Sequence, residues 1–184
     1  FREDGFSNTL TRKELESKAL KMAGWMKSKG VKKGDRVCAY MPNCSETVIS
    51  MLATSALGAI FSSCSSDFGI EGVIDRFEQI EPKVMIAADG YLYNGKVIDR
   101  SEEIKKISKR LPSLEHIIVV EYINSSKDID KVLNFKTVFQ SDRLENYVLC
   151  KFNDPLYIVF SSGTTGKPKC LSLIHISEPT RPRL

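Results

Sequence analysis

Cysteine pairs, histidine, long apolar runs and charge of one sign are all scarce in this chain. Its five cysteines (Cys38, Cys44, Cys64, Cys150, Cys170) form an odd set with no C-x-x-C pair, and 184 residues hold two histidines. That spacing builds neither a zinc centre nor a disulfide framework, so no metal site is expected and the thiols read as buried or inert groups in a reducing compartment. No apolar run is long enough to span a membrane and no signal-peptide pattern is present, which makes the cytosol the default location. Lysine and arginine number 27 against 23 acids, a formal charge of +4, and they intermingle, as where Lys105 and Lys106 follow Glu102 and Glu103. This is a mixed solvated surface and not a nucleic-acid face. No internal repeat or low-complexity tract occurs. With 42% hydrophobic and 27% charged residues, the composition suits a globular domain that buries one core.

What is present alternates between helical and extended patterns. Thr11 to Glu14 is a capping box, opening a helix with Leu15, Ala19, Met22, Ala23 and Met26 on one face and Gly30 at its end. Residues 36–40 read as a strand. Pro42 and Asn43 break the chain before a helix from Ser45 to Leu57, with Val48, Ile49, Leu52, Ala53 and Ala56 as its apolar stripe. A second strand begins at 59–61, a third helix runs from Gly69 to Ile80 and stops at Pro82, and a third strand covers 84–88. Ser101 to Leu111 is a fourth helix and 116–120 a fourth strand. Strands separated by helices of this length predict an α/β fold, a mostly parallel sheet flanked by helices. Trp25 with Met22 and Met26 reads as core, and His116 has no evident partner. The stretch from Tyr122 to Asp154 is polar and predicts an irregular surface crossing.

Leu156 to Phe160 is a short apolar run after Pro155, predicting a buried strand. Out of it runs Ser161, Ser162, Gly163, Thr164, Thr165, Gly166, Lys167, Pro168, Lys169. Glycines allow backbone N–H groups to approach a phosphate closely, hydroxyls donate to its oxygens, and lysines supply positive charge. The order is not a Walker A loop, because two residues separate the glycines and proline follows the lysine.

These nine residues resemble the phosphate loop of the adenylate-forming enzymes, a superfamily of acyl-CoA synthetases, luciferases and peptide-synthetase adenylation domains. The resemblance implies that Ser161, Ser162, Gly163, Thr164, Thr165, Gly166, Lys167 and Lys169 hold the phosphates of ATP while a carboxylate attacks the α-phosphorus. It also implies Mg²⁺ and coenzyme A as co-substrates. Asp67 to Lys83 and Tyr93 to Lys96 look like the branch of acyl-CoA synthetases that activates acetoacetate; synthetases for acetate or propionate are the alternative, as is a non-catalytic nucleotide-binding module. Small molecules, and neither nucleic acid nor membrane, are the implied partners.

In such synthetases the neighbourhoods of Ser66, Asp67, Phe68 and Lys96 line the coenzyme A channel, with Lys96 pairing a phosphate. The sister enzymes carry Gly-Gly where Ser66 and Asp67 stand. A capping role for Asp67 and a solvated Lys96 are the competing readings. Residues 1–169 correspond to a partial N-terminal AMP-binding domain. Residues 170–184, with Pro179 and Pro182 in a polar basic stretch, break the family pattern and look like translated adapter read-through, expected to be non-native or disordered. The adenine pocket, most of the acyl pocket and the mobile C-terminal domain lie beyond the matched region, so no catalytic residue is assigned and the chain alone is expected to be inactive.

Overall fold

The computed structural model describes residues 2–124, 132–161 and 166–173. Helix α1 (Arg12–Ser28) begins at the expected capping box: the Glu14 amide donates to the Thr11 hydroxyl at 3.2 Å and the Thr11 amide donates to the Glu14 carboxylate at 2.8 Å. Then follow β1 (Arg36–Tyr40), α2 (Ser45–Ala56), β2 (Ile60–Cys64), α3 (Ile70–Phe77), β3 (Val84–Ala88), β4 (Gly90–Tyr93), β5 (Lys96–Asp99), α4 (Ser101–Arg110), β6 (His116–Val120), β7 (Val132–Asn134), β8 (Tyr157–Ser161) and β9 (Lys169–Leu173). Among the described residues, one sheet has the order β7-β6-β3-β1-β2-β8-β9. All its neighbours are parallel except β8 and β9, which form an antiparallel pair. This is the α/β architecture that the alternating pattern predicts.

Side chains alternate across a strand, so each inner strand feeds two cores. Val37 and Ala39 of β1 pack in the cluster that contains Leu20, Met22 and Met26 of α1 and Ile49 and Ala53 of α2. Cys38 and Tyr40 point the other way, into the cluster of Val73, Ile74 and Phe77 of α3 and Ile104 and Ile107 of α4. Every residue of β3 is buried, as a parallel strand covered on both faces requires. Each fully enclosed large side chain, such as Phe77, contributes about 1.5–3 kcal/mol by leaving water. No helix among the described residues is long and apolar enough to cross a membrane.

Several expectations need correction. In α2, Ile49, Ala53 and Ala56 are buried as predicted, but Val48 and Leu52 are exposed and Ser50 and Thr54 are buried in their place. The swap is tolerated because Ser50 Oγ donates to the Glu46 carbonyl and Thr54 Oγ1 to that of Ser50, satisfying both hydroxyls within the helix. The third helix ends at Phe77, and Glu78–Ile80 tightens into a 3₁₀ turn that leaves through Glu81 at φ 46°. Pro82 supplies no amide to prolong it. His116 is not solitary: its ring stands edge-on to Trp25, centroids 5.7 Å apart.

Residues 125–131 lie outside the described residues, and the rest of 122–154 is more ordered than its polarity suggests. It contributes β7 and a 3₁₀ segment, Phe135–Gln140, whose Phe135 and Val138 close the α1 side of the core together with Leu144. Strand β8 is only partly enclosed, with Ile158 buried and Val159 42% exposed. Residues 90–99 form a hairpin outside the main sheet. Its turn residues Asn94 and Gly95 have φ of 49° and 70°, the Asn-Gly chemistry of a type I′ turn. The strand β9 extends four residues past Lys169, to Leu173; residues 174–184 lie outside the described residues.

Two outcomes follow from this packing. At Gly24 an added Cβ would collide with the backbone carbonyl of Asp142, where the segment after the 3₁₀ turn lies against α1. Although alanine favours helices, Gly24→Ala is expected to lower stability by about 1–3 kcal/mol, the usual cost of overpacking. An unchanged or raised denaturant midpoint would contradict this. Burial drives the thiol of Cys38 well above its usual range and that of Cys64 to about 12, whereas Cys150 and Cys170 are exposed. Because the thiolate is the reactive form, a disulfide reagent at pH 8 should label Cys150 and Cys170 quickly and reach Cys38 and Cys64 only on unfolding. Time-resolved mass mapping of the labelled cysteines checks the order.

Candidate functional site

Parallel strands deliver their carboxyl ends to one edge of the sheet. Tyr40, Cys64, Ala88, Val120 and Ser161 end β1, β2, β3, β6 and β8 there. The helices that follow β1 and β2 pack on opposite faces of the sheet. Ligand crevices of open α/β sheets form at such an edge, where connections diverge. The turn of residues 65–69, the hairpin β4–β5 and the glycine-, hydroxyl- and lysine-rich loop all leave from it.

The ends of that loop are held together. Ser161 on β8 and Lys169 on β9 are register partners, so residues 162–168 form the connection of an antiparallel hairpin. Ser162, Gly163, Thr164 and Thr165 lie outside the described residues. Gly166 has φ 112°, a conformation that favours glycine. Lys167 Nζ is 3.5 Å from a carboxylate oxygen of Asp75, and Gln79 Nε2 donates to the Pro168 carbonyl at 2.9 Å. The exit of the loop thus rests on the outer side of α3 and the adjoining 3₁₀ turn. Lys169 is exposed.

The second group of candidates surrounds the turn after β2. Ser66 is 1% exposed and its hydroxyl is enclosed without a hydrogen-bond partner, while Asp67 and Phe68 face solvent. Gly69 is the N-cap of α3 with no side-chain cap, so Asp67 does not cap the helix. Two polar groups, one buried and one half-buried, hold the turn from beneath. The hydroxyl of Tyr40 lies 2.7 Å from the Phe68 carbonyl and 3.0 Å from that of Ser66, and Arg100 Nε donates to the Ser66 carbonyl at 3.0 Å. Burial pushes the Tyr40 hydroxyl up to about 12, with the Arg100 charge acting against the shift. Tyr40 is therefore a neutral donor at physiological pH. The guanidinium of Arg76 sits over the Phe68 ring, 4.4 Å from its centroid.

Lys96 opens β5, opposite Tyr93 at the exposed tip of the hairpin. Arg100 joins this hairpin to the turn, since its Nη2 reaches Tyr91 Oη at 3.3 Å while its Nη1 reaches Glu103 at 2.9 Å. The backbone agrees, with the Arg100 amide donating to the Asp89 carbonyl at 2.7 Å. Asp89, 3% exposed, accepts in turn from the Tyr122 and Ile123 amides at 2.7 and 2.9 Å, fixing the chain after β6 beside the hairpin. Sequence reasoning missed Tyr40, Tyr91 and Arg100. Nothing in their neighbours marks them; only the meeting of β1, β4 and the start of α4 at this edge does. Among the described residues no group of three or more His, Cys, Asp or Glu side chains could hold a metal ion.

The sequence pattern of the family described as AMP-binding enzyme matches residues 3–177. Acetoacetyl-CoA synthetase of Macaca fascicularis is 41% identical over 172 residues, covering 88% of this chain and 26% of that protein. Acetoacetyl-coenzyme A synthetase of Rhizobium meliloti (strain 1021) is 42% identical over 176 residues, covering 92% and 27%. The solved acetoacetyl-CoA synthetase from Streptomyces lividans superposes with a TM-score of 0.89 at 35% identity, covering 94% of this chain and 26% of that one. The chain spans about a quarter of the length of the relatives it matches. By the reach of the pattern and the closeness of the superposition, this chain belongs to the AMP-binding enzyme family.

Proposed function

We propose that this chain is part of an acetoacetyl-CoA synthetase, a ligase that joins acetoacetate to coenzyme A at the expense of ATP. The observation that carries the reading is the likeness to the Streptomyces lividans enzyme across 94% of the chain. A carboxylate is a poor acyl donor because its negative charge repels nucleophiles. Attack of a carboxylate oxygen on the α-phosphorus of ATP, with loss of pyrophosphate, gives an acyl-adenylate; the coenzyme A thiol then attacks its carbonyl carbon and AMP departs. The protein positions the reactants and neutralises charge as the phosphorus becomes five-coordinate.

Within that scheme the proposed phosphate ligands are the hydroxyls of Ser161, Ser162, Thr164 and Thr165, the amides around Gly163 and Gly166, and the ammonium groups of Lys167 and Lys169. The ion pair of Lys167 with Asp75 does not oppose this role. Both partners are partly exposed, and such pairs are worth about 0–1 kcal/mol, less than a lysine gains from a polyphosphate. Asp67, Phe68 and Lys96 are the proposed coenzyme A contacts, with Ser66 serving through its backbone carbonyl. Mg²⁺ bound mainly through ATP oxygens would supply further charge neutralisation; the described residues gather no carboxylate set fitted to it, and no step is assigned to it. The cytosol is the proposed location.

Because the chain spans 26% of the Streptomyces lividans enzyme, we propose that it does not turn over alone. The purified 184-residue chain should show acetoacetate-dependent ATP–pyrophosphate exchange at background, and exchange clearly above background would refute that. In the protein expressed at the full length of its relatives, exchange with acetoacetate should exceed that with acetate or propionate. A preference for either shorter acid would instead assign the sister synthetases, and ATP binding without exchange would leave a nucleotide-binding module.

A further inference from the structure

The β4–β5 hairpin lies outside the main sheet, so no strand pairing with that sheet sets its orientation. It carries Lys96, one of the proposed coenzyme A contacts, whereas Asp67 and Phe68 sit on the turn after β2. A surface assembled from two separate segments keeps one geometry only if something ties them. Arg100 is placed to do so. Its side chain is 15% exposed, and each of its three nitrogens is engaged by the protein: Nε by the Ser66 carbonyl, Nη2 by Tyr91 of the hairpin and Nη1 by Glu103 of α4. The guanidinium also faces the Tyr91 ring at 5.3 Å. Planar forks of this kind fix relative orientation, which a lysine's single ammonium cannot do.

We propose that Arg100 is a positioning residue for coenzyme A: it locks the Ser66–Phe68 turn to the hairpin, so that Asp67, Phe68 and Lys96 present a single preorganised surface. Tyr40 completes the arrangement from below, its hydroxyl lying 2.7 Å from the Phe68 carbonyl and 3.0 Å from the Ser66 carbonyl that Arg100 also engages. Three of its five N–H donors, one on each nitrogen, engage protein groups, and in this proposal Arg100 acts through these neighbours and not as a ligand of the cofactor's phosphates. The inference rests on the reading of this edge as the coenzyme A site.

The test uses the enzyme at the full length of its relatives, with two assays on each variant. Acetoacetate-dependent ATP–pyrophosphate exchange reports the adenylation half-reaction, which does not involve coenzyme A; AMP formation against coenzyme A concentration gives the KM for that cofactor. Arg100→Gln should raise this KM by about tenfold, equivalent to ~1.4 kcal/mol, with exchange within about twofold of the parent. Arg100→Lys keeps the charge and loses the fork, so it should raise the KM to a similar extent. Recovery of the parent KM by Arg100→Lys would make Arg100 a direct phosphate ligand and overturn the proposal, as would an unchanged KM in both variants. Should Arg100→Gln lose exchange as well, Tyr91→Phe decides: a raised KM for coenzyme A with exchange intact supports the lock, and an unchanged KM rejects it. A parent enzyme that exchanges with acetoacetate while the variants match its KM for coenzyme A defeats this inference alone. A parent without coenzyme A-dependent turnover defeats the functional reading and this inference with it.

Discussion

The burial of β1 on both faces is the constraint from which the rest of the molecule follows. Val37 and Ala39 feed one core while Cys38 and Tyr40 feed the other, and all four are fully enclosed. A strand covered twice needs helices on both sides, and helices that cross between parallel strands return every strand to the same direction. The carboxyl ends of the parallel strands then share one edge. The last residue of β1 adds a condition of its own. Tyr40 is enclosed, yet its hydroxyl needs a partner, and leaving it unpaired would cost about 1–3 kcal/mol. Its partners are the carbonyls of the turn after β2, so the requirements of the core fix the shape of the edge.

Where burial and local chemistry agree, the sequence is easy to read. The run at 84–88 is apolar throughout because β3 has no solvent face, and the capping box at Thr11 marks α1 because its hydrogen bonds are made within four residues. Reading fails where a local rule competes with a distant one. The stripe of α2 is displaced toward Ser50 and Thr54, since a hydroxyl that bonds its own helix can be buried like a small apolar group. The segment 132–144 lies in a stretch that is polar on average, but its Phe135, Val138 and Leu144 are enough to close a core whose other wall is α1. The hairpin at 90–99 carries a local signal in Asn94-Gly95, but its strands are only four residues long and their flanking residues alternate weakly.

The candidate site divides along the same line. The loop from Ser161 to Lys169 stands out by composition alone, because glycine, hydroxyl and lysine clustered after an apolar strand are a set suited to phosphate. The turn at Ser66 and the lysine at position 96 follow from resemblance, and no local signal in the sequence joins them. Arg100, Tyr40 and Tyr91 are far apart in sequence and converge through the topology, and each is an ordinary residue in its own neighbourhood.

Helix α3 relates the two regions. It begins immediately after the Ser66–Phe68 turn, and Asp75 in its last turn, with Gln79 just beyond, holds Lys167 and Pro168 at the exit of the loop. Eight residues at 1.5 Å each make it about 12 Å long. Its other side is fixed, because Val73, Ile74 and Phe77 are buried against the sheet. A rigid element of defined length therefore separates the proposed cofactor turn from the exit of the proposed phosphate loop. In the proposed reaction the thiol would have to reach a carbonyl made reactive at the phosphate site, and a constant separation of the two proposed sets of ligands would serve that step. The hydrophobic face of α3 provides that constancy while its polar face and N-terminal turn carry the contacts. Core packing and site geometry are in this sense the two sides of one helix.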